Sequence, residues 1–136
     1  MSDHTQRVKP ERADRTRPWP VLVALGLAGS EVGIVVGLGP VAVAGLVVFA
    51  ASIAGILADA GYVARPLPFA AKTGAAFVAV GAVLAAHGTG TVPITPLEPL
   101  SGLASRGAAM VVAGFVTIGG AGLLLTRRPA DERPDR

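Results

Sequence analysis

Between Trp19 and Leu125 the chain carries only six formal charges: Glu31, Asp59, Arg65, Lys72, Glu98 and Arg106. That sparsity constrains the fold more than any motif does. Just 15% of the residues are charged and 51% are hydrophobic, whereas an ordinary soluble domain has about a quarter charged. A chain this short must leave a large share of its surface exposed, and it lacks the polar residues to cover that surface in water. A disordered chain would need low hydrophobicity and high charge. The composition therefore points to a lipid environment.

The apolar residues fall into four runs, at about 19–38, 41–60, 69–86 and 108–125. A helix crossing a hydrocarbon core of about 30 Å needs roughly 17 to 25 residues, and each run is long enough. Gly37-Leu38-Gly39-Pro40 separates the first two. A continuous helix through both would be about 60 Å long at 1.5 Å per residue, twice the bilayer. Pro disfavours helical geometry in the residue before it and suits the first turn of a new helix. Gly39-Pro40 is therefore the expected hairpin turn.

Charge distribution gives an independent count. Four spans place both termini and the second connection on one side. That side holds Arg7, Lys9, Arg12, Arg15, Arg17, Arg65, Lys72, Arg127, Arg128, Arg133 and Arg136, and the other side holds Arg106 alone. Such a bias predicts cytoplasmic termini and a multi-pass protein of the cell membrane. Three spans would put the two basic tails on opposite faces. Trp19, Tyr62 and Phe69 fall at the same interface, where amphipathic rings are favoured, and Lys72 reads as a snorkelling anchor.

The expectation is an all-α polytopic membrane protein, an up-down bundle of four transmembrane helices over 19–126. Residues 1–18 and 127–136 read as flexible cytoplasmic tails. The 87–106 connection, with Pro93, Pro96 and Pro99, reads as an extended segment on the membrane surface. Ser101 or Ser105 is the expected cap of the fourth helix.

Helices in lipid associate through close packing, which small residues permit. Gly29, Gly33 and Gly37 form two overlapping GxxxG units, read here as a helix-packing face. Smaller faces occur at Ala51 and Gly55, at Ala71, Ala75 and Ala79, and at Ala113, Thr117 and Ala121. Intramolecular packing accounts for them; a homo-oligomer, or docking to a larger membrane complex, is the alternative.

Glu31 is the one acid well inside an apolar run. A charge there costs at least about 2 to 3 kcal/mol on insertion scales. It lies about 200° around the helix from Gly29, whereas Gly33 and Gly37 lie at about 40° and 80°. The carboxylate thus points away from the glycine face. It can be protonated against a carbonyl, pair with Arg106 at compatible depth, or serve proton or cation movement. Pairing is preferred to transport, because no relay accompanies the acid.

Other chemistry fails on inventory. There is no cysteine, and the two histidines, His4 and His87, lie at no ligand spacing. Metal sites and cofactors are not expected. The glycines at 114, 119, 120 and 122 lie in an apolar run with no preceding strand, so they make no nucleotide loop. The net charge is +3 and its basic residues flank spans instead of lining a groove, which argues against a nucleic-acid partner. The inventory indicates no enzyme.

Over Pro18 to Tyr62 the sequence resembles small membrane proteins of halophilic archaea called cox cluster proteins, which are encoded beside cytochrome oxidase genes. Pro18-Trp19-Pro20, Glu31, Pro40-Val41-Ala42-Val43 and Gly61-Tyr62 carry the resemblance. It implies a non-catalytic accessory or assembly role around a haem-copper terminal oxidase, with oxidase subunits and the bilayer as partners. The alternative is a small proton-coupled multidrug-type transporter, which also has four spans and an acid in the first helix, here Ala28-Gly29-Ser30-Glu31-Val32. Against it stand the few aromatics within the spans, Phe49, Phe77 and Phe115, and a charge bias that fixes one orientation. A proton-driven rotor ring ranks last, since its acid belongs on another span.

Overall fold

The computed structural model describes residues 18–97 and 101–127. The expected tails, apart from Pro18 and Arg127, lie outside the described residues, as do Glu98, Pro99 and Leu100. Four α-helices follow in order: α1, Trp19–Val36; α2, Gly39–Asp59; α3, Pro66–Gly88; and α4, Leu103–Thr126. All four are long and apolar enough to cross a membrane. α1 and α2, joined through Gly37-Leu38, and α3 and α4, joined by the longer 89–102 connection, pack as antiparallel hairpins, and α2 joins the two hairpins by packing on both α3 and α4. The protein is an all-α, multi-pass membrane protein.

Proline and glycine set the boundaries. Prolines occupy the first or second position of α1, α2 and α3, where the missing N–H has no intrahelical role. The first hairpin turns two residues earlier than expected, at Gly37-Leu38. Gly37 ends α1 with a left-handed φ of 78°, and the Leu38 N–H donates to the Gly33 carbonyl at 2.7 Å, a Schellman closure. Gly39 and Pro40 are already the first residues of α2.

The fourth helix departs most from expectation. It starts at Leu103, not near 108, because its polar first turn is helical although too polar to be read as a span. Neither Ser101 nor Ser105 caps it: Gly102 is the N-cap, and the Ser105 hydroxyl donates to the Gly102 carbonyl at 2.9 Å. The preceding connection is not simply extended. It contains a 3₁₀ turn, Thr95–Leu97, and the Ile94 N–H donates to Nδ1 of His87 at 2.9 Å.

The interior is built from small residues. Ala42, Ala50, Ala54, Ala113 and Ala121 are buried, and Ser30 and Ser52 are the largest fully buried side chains. Their hydroxyls donate to carbonyls of their own helices, Leu27 and Val48, as does Thr117 to Ala113. No buried side-chain polar atom among the described residues lacks a partner. The large apolar residues instead face outward, among them Val21, Leu25, Val35, Phe115 and Leu124. This arrangement suits hydrocarbon as solvent, where helix contact depends on packing and the apolar exterior meets lipid.

Close approach is achieved by three mutual glycine pairs: Gly26 with Gly45, Gly81 with Gly107, and Gly74 with Gly114. In each pair, a Cβ on either residue would meet the other's backbone carbonyl at 2.5 to 2.8 Å. The repeat is therefore seven residues, Gly26 to Gly33 in α1, Gly74 to Gly81 to Gly88 in α3, and Gly107 to Gly114 in α4. Seven is the repeat of left-handed helix pairs, since 3.5 residues per turn keep one seam facing its partner.

The expected four-residue glycine face is accordingly corrected. Gly33 packs against the backbone of Ala42, but Gly29 only grazes Gly45 at 3.9 Å, and Gly37 has nothing within 4 Å of its Cβ position. Likewise Ala75 and Ala79 are exposed, whereas Ala113, Thr117 and Ala121 are buried as expected.

Candidate functional site

Glu31 lies on α1 and Arg106 in the first turn of α4. Both face off the seams that hold their own hairpins. Arg106 Nη2 donates to Glu31 Oε2 at 2.7 Å, forming an ion pair. The geometry is favourable because each residue sits toward the same end of the bundle: Glu31 about 8 Å from the end of its helix, Arg106 about 5 Å from the start of its own. Arg106 Nη1 also reaches the Ser101 carbonyl at 3.4 Å. The Arg106 side chain is 39% and the Glu31 side chain 48% exposed, so the pair is reachable from outside the bundle.

Its position matters more than its strength. α1 packs principally on α2, and α4 principally on α3. The Glu31–Arg106 bond therefore ties one hairpin to the other at a place where their helices do not touch closely. An apolar groove of about 930 Å³ runs beside it, with walls from α1 and α4 and a floor from α2. Gly33 and Ile34, Val43 and Val47, and Ala109 and Val112 represent the three helices in its lining.

At the opposite end a second polar contact closes the first hairpin. Trp19 Nε1 donates to Asp59 Oδ2 at 2.7 Å, 40 residues apart in sequence. The indole ring lies over Gly55, where a Cβ would meet it at about 2.6 Å. Sequence reading places Trp19 at an interface but does not find Asp59 as its partner. The available signal was the two residues' common depth at the ends of adjacent helices.

The side-chain partner of Glu31 among the described residues is Arg106. Among the described residues no three His, Cys, Asp or Glu side chains cluster as a metal site would require. The polar contacts of the helices, among the described residues, include an ion pair, an indole–carboxylate bond, the bond from Ile94 to His87 and hydroxyls satisfied within their helices.

Fold and pair together define a small multi-pass membrane protein of two glycine-seamed hairpins, cross-linked by one ion pair. The chain belongs to a family of unknown function (DUF7541), which it matches over residues 1–126. No curated protein and no solved structure matches it.

Proposed function

We propose that the protein is a non-catalytic accessory or assembly subunit associated with a haem-copper terminal oxidase in the cell membrane, with both termini cytoplasmic. The observation that carries this reading is where the resemblance falls. Pro18-Trp19-Pro20, Glu31, Pro40 to Val43 and Gly61-Tyr62 all belong to the α1–α2 hairpin or its immediate ends. Within that hairpin, α1 is the helix least covered by the rest of the bundle, with Val21, Leu25, Val32, Val35 and Val36 exposed. A helix held by one neighbour and one ion pair presents a long apolar edge to another membrane protein.

The orientation rests on the distribution of Lys and Arg, eleven on the termini side and Arg106 alone on the other. A transport role for Glu31 has less support, because Arg106 already occupies the carboxylate. Extraction in mild detergent followed by mass spectrometry tests the proposal. Oxidase subunits are expected to co-purify; recovery of the chain alone would contradict it.

A further inference from the structure

We propose that the groove between α1 and α4 is a binding site for one glycerophospholipid, with the lipid phosphate on Arg106 and an acyl chain along α2 and α4. The length of the groove decides the class of occupant. Its lining runs from Gly39 to Val48 on α2 and from Ser105 to Val116 on α4. At 1.5 Å per residue these stretches are about 14 and 17 Å long, half of a hydrocarbon core of about 30 Å. A membrane-spanning helix from another protein needs a track across the whole core and a width of about 10 Å. An acyl chain belongs to one leaflet and ends near the midplane.

The chemistry at the two ends agrees with that choice. The deep end is bounded by Val48 and Val116 and offers only hydrocarbon. The shallow end lies at the hairpin turn and at Ser105 in the first turn of α4; Arg106 follows Ser105 in sequence and stands outside the lining itself. Arg106 has five N–H donors, and among the described residues its contacts are one to Glu31 and one long contact to Ser101. Its remaining donors and 39% exposure leave it able to take a phosphate, which a guanidinium fork binds bidentately as it does a carboxylate. Glu31 holds the guanidinium in place, so its role here is positioning.

The test uses the full chain, delipidated in detergent, with native mass spectrometry as readout. The probes are phosphatidylglycerol and an uncharged diacylglycerol with the same chains. One phosphatidylglycerol per chain is expected, with diacylglycerol bound about tenfold more weakly. Arg106→Gln should remove that preference. Val112→Trp should weaken both probes, because Val112 lines the groove yet is 49% exposed, so the larger ring fills the groove without entering the core. Val116→Trp, at 50% exposed, repeats the block if the first variant unfolds. Equal binding of the two probes to the wild-type chain would overturn the phosphate assignment. Unchanged binding in both tryptophan variants, or a dimer that they dissociate, would overturn the lipid assignment.

Discussion

Glu31 and Arg106 are separated by 75 residues and joined at 2.7 Å. Removing one partner leaves the other charge unpaired near the edge of the hydrocarbon, whereas removing both leaves two neutral side chains. Because the pair is partly exposed, Arg106→Gln or Glu31→Gln alone should lower the unfolding free energy in mixed micelles by about 1 kcal/mol. The double variant should lose less than the sum of the two, and a strictly additive cycle would show that the pair carries no coupling. His87 gives a second residue-scale prediction. The Ile94 N–H donates to its Nδ1 at 2.9 Å, and the Val92 carbonyl lies 3.0 Å from the same nitrogen. His87→Phe removes that acceptor, and amide exchange at Ile94 should rise about fivefold, the equivalent of about 1 kcal/mol. The pairing of Glu31 was readable in the sequence because only one cation shares its depth on the far side. The Trp19–Asp59 bond was missed because an indole at the interface has water and headgroups as alternative partners, so common depth alone did not single out Asp59.

At the scale of helices, what decides association is the backbone-to-backbone distance at the seam. Gly81→Ala or Gly107→Ala drives a methyl into a carbonyl at 2.7 or 2.5 Å, and no rotamer change relieves a clash with backbone. Thermal unfolding in detergent should show a loss of about 1–3 kcal/mol for either. Gly29→Ala and Gly119→Ala serve as contrasts, with a nearest contact of 3.9 Å and none within 4 Å respectively. Both should stay within about 0.5 kcal/mol of the parent. If Gly29→Ala proves as damaging as Gly26→Ala, the four-residue face is the true seam. Gly29, Gly33 and Gly37 catch the eye in the sequence because they crowd one stretch, whereas a seven-residue repeat spreads over a whole helix. Hydropathy located the four spans for a related reason: it marks where lipid begins. It missed the start of α4 because Ser105 and Arg106 are helical and polar at once.

As a whole the molecule inverts the usual distribution of residue sizes, with glycine, alanine and serine inside and valine, leucine and phenylalanine outside. Its hairpins are each held by a glycine seam, and they meet through α2 and through one ion pair. Relative placement of the hairpins is thus the claim on which the accessory role, the groove and its lipid all rest. The chain has no cysteine, so introduced thiols report without background. A Glu31→Cys/Arg106→Cys variant treated in native membranes with a short bifunctional thiol reagent tests this most directly. An intramolecular cross-link, leaving the chain at monomer mass, is the predicted result. Cross-linking only between copies, or none while each thiol is separately reactive, would contradict it.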